Sequence, residues 1–207
     1  MTTDLVPPDV RSLYEVHEWK HACAVLVQDF PQQWADLLRV LREYRLPRSH
    51  ILEPGRGKSP ISKAFETAFL ALGWVKKAFD TKVIVDTREI DSPTHEVDCF
   101  RASPDPATGG VAVEIQWNNK DTFYDRDLNN FRLLFELRTV SVGIIITRCD
   151  ELQGLFDKVM GDRKKARERY GASTTHMSKL LPKLEGGGGG GCPILVFGIT
   201  EQLYVED

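Results

Sequence analysis

The sequence contains no run of about 18 apolar residues, the length a helix needs to cross a bilayer, so no transmembrane segment is expected. Its start, Met1 to Val10, carries Asp4, Pro7, Pro8 and Asp9. It lacks the basic head and apolar stretch of a signal peptide, which makes the cytoplasm the expected location. Cysteine is scarce: Cys23, Cys99, Cys149 and Cys192 are scattered and form no CxxC pair. Three of them sit in apolar, strand-like surroundings, so buried reduced thiols are expected rather than disulfides or a zinc site. The histidines His17, His21, His50, His95 and His176 show no metal-ligand spacing, and each reads as structural or surface. No repeat is visible, and Gly186–Gly191 is the one low-complexity stretch. A positive excess is missing too. The net charge of −3 argues against coating nucleic acid without regard to sequence. An enzyme acting on DNA needs only a favourable local field.

What is present suffices for a core. The 207 residues are 42% hydrophobic, which fits a single domain over 1–207. Residues 13–45 read as helical: Ala22, Val25, Leu26 and Phe30 recur at helical spacing, Pro31 interrupts, and Trp34, Leu37, Leu38 and Leu41 resume it. Pro47, Pro54, Gly55 and Gly57 make 46–58 a loop. Ser59-Pro60 then opens a helix, serine as cap and proline at the first position. Its stripe is Ile61, Ala64, Phe65, Ala68, Phe69 and Leu72; Glu66 lies at the edge of that stripe, and Gly73 ends the helix.

Strands are expected at 81–86, 96–101 and 111–117, the last two joined through Ser103 to Gly110. Residues 125–140 read as a helix apolar nearly all round, which either lies buried within one subunit or packs on a partner. Residues 141–147 form a strand buried on both faces. A short helix at 150–160, a basic then polar stretch at 162–183, a flexible glycine loop and a strand at 193–199 complete the chain. The fold class is α/β, a mixed central sheet flanked by helices on both faces. It divides into an N-terminal helical part at 1–58, a core at 59–147 and a C-terminal part at 148–207.

The chemistry is concentrated around Asp98 and Glu114-Ile115-Gln116. Side chains alternate along a strand, so Val111, Val113 and Ile115 share one face while Ala112, Glu114 and Gln116 share the other. A carboxylate and an amide on a strand otherwise built for burial violate simple patterning, and such violations often mark functional sites. A hairpin can bring Asp98 beside Glu114. Two close carboxylates repel unless a cation lies between them. Magnesium takes oxygen ligands, and Asp98, Glu114 and the carbonyl of Ile115 would leave it open positions. Exposed carboxylates on an edge hairpin remain the plainer reading of these residues alone.

The stretch from Ser59-Pro60-Ile61-Ser62-Lys63-Ala64-Phe65-Glu66 to Gly73-Trp74, followed by Glu96-Val97-Asp98 and Val113-Glu114-Ile115-Gln116-Trp117, resembles the motif order of BglII-type restriction endonucleases, a group that includes BstYI and more distantly BamHI. The likeness runs from about Ser59 to Arg132, with a weaker echo in Pro193 to Ile199. It implies the PD-(D/E)xK nuclease fold, with Val97 replacing the proline of that name. It also implies catalytic roles for Asp98, Glu114, Gln116 and Glu66, with Asp98, Glu114 and the Ile115 carbonyl holding Mg2+. Gln116 stands where most of the superfamily has lysine, and BglII-like enzymes use glutamine there. The general base is therefore undefined, and Lys63 or Lys120 are candidates to take the lysine's place.

The resemblance further implies a homodimer on double-stranded DNA, a GATC-centred palindrome and 5′ overhangs. The loop after the catalytic strand supplies Asn118, Asn119 and Lys120 as candidate DNA contacts. Five positive charges in seven residues at Arg163–Arg169, Lys164 and Arg167 among them, suit phosphates or form a solvated helix face. Ser173, Thr174, His176 and Lys179 suit base edges. Alternatives are an inactive DNA-binding protein of the same fold, suggested by the missing lysine, a metal-dependent nucleotide phosphohydrolase, and a structural or protein-interaction domain.

Overall fold

A computed structural model describes residues 2–53, 57–93 and 95–207. In chain order these form α1 (Pro8–Arg11), β1 (Tyr14–Trp19), α2 (Ala22–Asp29), α3 (Pro31–Glu43), β2 (Leu46–Pro47), α4 (Arg48–Leu52), α5 (Pro60–Ala71), β3 (Val75–Lys77), β4 (Asp80–Val85) and β5 (Arg88–Pro93). There follow β6 (Val97–Ala102), β7 (Gly110–Ile115), α6 (Phe123–Glu136), β8 (Val142–Arg148), α7 (Leu152–Met160), α8 (Arg163–Arg169), α9 (Met177–Glu185), β9 (Ile194–Ile199) and β10 (Tyr204–Val205). Six strands make one mixed sheet in the order β1-β9-β8-β7-β6-β3. The centre is parallel, β9 to β8 to β7, and both margins are antiparallel.

Alternation along the central strands divides the core as the sequence predicts. Val111, Val113 and Ile115 join Ile144, Ile146, Leu195 and Phe197 on one face, beneath α2, α3, α5 and α7. Ala112 joins Ile145, Ile194 and Val196 on the other, beneath α6 and α9. Every residue of β8 is buried, as its continuous apolar run requires. Gly143 lets α6 lie directly on that strand: a Cβ there would come within 2.7 Å of the Phe131 ring. Helix α5 begins where serine and proline predict, with the Ser62 N–H donating to Ser59 Oγ at 3.0 Å. All four cysteines are buried and free.

Several expectations are corrected. Residues 13–45 are not helical throughout, because Tyr14–Trp19 is an edge strand in register with β9 from Tyr14↔Ile199 to Trp19↔Ile194. An edge strand with one buried residue carries little periodic signal, and long-range pairing decides it. The 46–58 loop contains α4; Pro54 and Gly55, which helped define that loop, lie outside the described residues. The strand expected at 81–86 is β4, which pairs with β5 in a separate hairpin and not in the central sheet. Glu66 is not at the edge of the α5 stripe but within the buried face, 5% exposed. Helix α6 stops at Glu136, and Leu137 turns outward, so the helix is not apolar all round. The stretch 162–183 resolves into α8 and α9.

The glycine run is not a loose loop. Gly186, Gly187 and Gly188 donate to the carbonyls of Pro182, Leu184 and Lys183 at 2.8–2.9 Å, closing the end of α9. The following turns press against α6, where side chains do not fit. A Cβ on Gly190 would stand 2.7 Å from Arg132 Cγ, and one on Gly191 would stand 3.0 Å from the Phe135 ring. Gly190 also has a φ of +57°, the left-handed region that costs other residues about 1–2 kcal/mol. Gly190→Val should therefore lower unfolding stability by about 2–4 kcal/mol, strain and overpacking together, as read from urea denaturation. An unchanged midpoint would show that the turn yields freely.

Candidate active site

The antiparallel β6–β7 pairing runs through Phe100↔Ala112 and Cys99↔Val113, which makes Asp98 and Glu114 the next opposed pair. Asp98 Oδ2 accepts the Ile115 N–H at 2.9 Å, so the first carboxylate is fixed by the backbone of the second strand. Glu114 is completely buried, and among the described residues neither of its oxygens has a hydrogen-bond partner. Burial pushes its pKa well above the ordinary carboxylate range, and the charges of Asp127 and Asp98 push it further, while Arg126 opposes them.

Asp127 enters from α6. It occupies the buried stripe Tyr124, Asp127, Leu128, Phe131, Leu134, so a carboxylate stands where the spacing calls for an apolar group. Burial raises its pKa to about 6, against the pull of Arg126. Arg126 Nη2 donates to Asp127 Oδ1 at 2.9 Å, and Gln116 Nε2 donates to Asp127 Oδ2. Gln116 Oε1 accepts from Asn119 Nδ2 at 2.7 Å, so the amide is held at both ends. Reading histidines by spacing alone also missed His95. It precedes β6, and its Nε2 lies 3.9 Å from Glu114 Oε1.

A second group lies at the Asp98 end. Lys58 Nζ is 3.3 Å from Asp98 Oδ1 and is ion-paired with Glu66 Oε1; Lys76 Nζ stands 3.2 Å from Glu66 Oε2. Glu66 thus meets two lysines. The lysine that reaches Asp98 is Lys58, whereas the candidates Lys63 and Lys120 are exposed. Nothing in the sequence marks Lys58, which comes from a proline- and glycine-rich loop. Burial, then the neighbouring Lys76, lowers its pKa.

These groups border a cleft of about 290 Å³ lined among others by Lys58, Asp98, Gln116, Asn119, Arg126 and Arg169. Its floor is aromatic on one side, with Trp117 edge-on to Phe156 and Tyr170 at 6.0 and 6.4 Å. Glu114 lies beneath the cleft, not on its wall.

The two segments expected to read DNA meet at the rim. Thr175 N donates to Asn119 O at 2.8 Å, Asp121 N to Ser173 O at 3.0 Å, and Lys120 bridges Thr174. Asn118 holds a left-handed φ of +60°, which turns the chain out of β7. Ser173 and Lys120 are exposed, and Thr174 Oγ1 accepts from Arg148 at 2.9 Å. Lys179 pairs with Asp121 at 3.7 Å. His176 is buried, its Nε2 3.4 Å from Asp150. Lys164 and Arg167 stand exposed on α8, line a separate depression with Arg163 and Glu168, and do not border the cleft.

The donor set fits a divalent cation. Carboxylate oxygens are hard donors, and a fully buried carboxylate without a hydrogen-bond partner needs either a proton or a cation. Comparison with known proteins gives one family: the model for restriction endonuclease BglII/BglIII matches residues 14–199. No curated protein matches the chain.

The buried charge has a measurable consequence. The folded pKa of Glu114 lies above its ordinary 4.5, so the folded state takes the proton more readily than the unfolded chain. The penalty is absent below about pH 4.5 and grows as pH rises past it. Glu114→Gln should therefore raise stability in EDTA at pH 7–8 by about 1–3 kcal/mol, and the gain should vanish near pH 4. Denaturant unfolding at the two pH values checks this; equal or lower stability of the variant at pH 8 would contradict it.

Proposed function

The chain belongs to the BglII/BglIII family of restriction endonucleases, enzymes that cleave DNA sequence-specifically, and from that premise we propose that Asp98, Glu114 and the Ile115 carbonyl form its Mg2+-dependent phosphodiesterase centre. The observation that carries this reading is the meeting of Asp98 and Glu114 across adjacent strands, at the base of a cleft, where Glu114 has no other partner. A bound divalent cation would supply a water of lowered pKa and offset charge on the phosphate.

The protein's own groups do the rest. Asp98 is held in place by the Ile115 N–H at Oδ2, which fixes the direction of Oδ1, the oxygen that meets Lys58. Gln116 cannot ionise; with its amide anchored by Asp127 and Asn119 it orients rather than transfers protons. Lys58 brings the ammonium that position 116 lacks. Its lowered pKa suits a group that binds a phosphate oxygen and exchanges a proton. Glu66 acts by positioning Lys58.

The joined segments Asn118–Lys120 and Ser173–Thr174 face DNA, with His176 and Lys179 behind them supporting the rim and Lys164 and Arg167 touching phosphates further out. Cutting both strands of a palindrome requires two centres related by a two-fold axis, which a homodimer supplies. A GATC-centred site with 5′ overhangs is the target that the family likeness suggests.

Plasmid digestion with Mg2+, followed by sequencing of the fragment ends, tests activity, target and stagger together. Binding without nicking would favour the inactive DNA-binding alternative. Asp98→Ala or Glu114→Ala should abolish cleavage, by roughly 10³-fold or more, with folding and duplex binding retained. Full activity in either variant would remove the proposed centre. Lys58→Met should slow cleavage about 10²-fold, while the exposed Lys63→Met should leave the rate unchanged. Equal rates for both variants would eliminate Lys58.

A further inference from the structure

We propose that His95, Glu114 and Asp127 form a second cation site, separate from the Asp98 and Ile115 side and suited to a transition-series dication such as Mn2+. The proposal rests on the reading above in one respect: Glu114 is shared between the two sites.

Three elements converge here: the segment leading into β6, strand β7 and helix α6. One imidazole nitrogen of His95 and one carboxylate oxygen each from Glu114 and Asp127 lie within 4.8 Å of one another. Ligands held about 2.0–2.2 Å from one ion stand roughly 3–3.6 Å apart, so binding draws these side chains inward by up to about an ångström. The independent observation is Glu114 itself. Its carboxylate is fully buried and has two unpartnered oxygens. An ion shared with Asp98 and the Ile115 carbonyl needs only one of them. Oε1 lies 3.9 Å from His95 Nε2.

Asp127 is already bonded, to Arg126 through Oδ1 and to Gln116 through Oδ2, but each carboxylate oxygen has a second lone pair. Arg126 is the one cation of the cluster that repels a dication directly. Against it stand the three carboxylates Asp98, Glu114 and Asp127. The imidazole decides the kind of ion. Mg2+ prefers oxygen ligands alone, whereas one imidazole beside two carboxylates binds first-row dications, more tightly from Mn2+ through Co2+ to Ni2+. His95 borders the cleft, which provides an entry path to a site whose other two ligands are buried.

Mn2+ titration of the metal-free full-length protein, with free Mn2+ counted by electron paramagnetic resonance and bound Mn2+ examined for nitrogen coupling, tests this. We expect two bound ions per chain and histidine-nitrogen coupling in the parent protein. His95→Ala and Asp127→Asn should each retain a single ion and lose the nitrogen coupling. Asp98→Asn should lose the other ion and keep the coupling. Circular dichroism and thermal unfolding confirm that each variant is folded, and the part-exposed His95 makes His95→Ala the safer of the two. One ion without nitrogen coupling, lost in Asp98→Asn and kept in His95→Ala, would overturn this inference and leave the proposed catalytic centre standing. One nitrogen-coupled ion, kept in Asp98→Asn, would support the second site and remove the first. No binding in the parent protein would overturn both.

Discussion

The carboxylate of Glu114, enclosed by the sheet and by α6 without one hydrogen bond, is the constraint around which the site is built. Burying an ionised carboxylate is expensive unless a partner neutralises it, and here the neighbouring Asp127 and Asp98 carry the same charge. An apolar residue in that position would pack without penalty. Retaining a carboxylate there creates a demand that either a proton or a cation can meet. On the proposed reading, stability of the metal-free chain and chemistry of the loaded chain are opposed at this single side chain.

The surrounding elements hold that arrangement open. Parallel pairing with β8 buries β7 on both faces, which fixes where Glu114 points. Helix α6 closes over it, kept near by Gly143 beneath Phe131 and by the glycine turns against Arg132 and Phe135. Asp127 and Asn119 clamp the amide of Gln116 between the helix and the rim. Because Asn119 also pairs with Thr175, two hydrogen bonds connect the rim to Gln116. On the opposite side Lys58, Lys76 and Glu66 form a charged cluster that ends at Asp98. The acids therefore sit between an amide clamp and an ammonium, each anchored in a different part of the chain.

Legibility in the sequence followed the range of the signal. The two faces of β7, the capped start of α5 and the two-sided burial of β8 are local patterns, and all were readable from residue type and spacing. Asp127 left a trace, a carboxylate in the apolar stripe of α6, but a helix taken to be apolar all round conceals it. His95 and Lys58 left none. Both come from irregular segments, where no periodicity relates a residue to its neighbours in space. The strand Tyr14–Trp19 was misread as helix because only its partner, some 180 residues away in the chain, makes it a strand.

The sequence by itself determined the mixed α/β class, the alternation that sets Glu114 and Gln116 on one face, and, through its motif order, the family. These depend on contacts between near neighbours, whose geometry is set by backbone period. The tertiary structure alone decided that Glu114 has no hydrogen-bond partner among the described residues, that Lys58 reaches Asp98, that His95 and Asp127 approach the acids, and that the segments Asn118–Lys120 and Ser173–Thr175 are joined. Those are juxtapositions across long stretches of chain, and packing, not period, determines them.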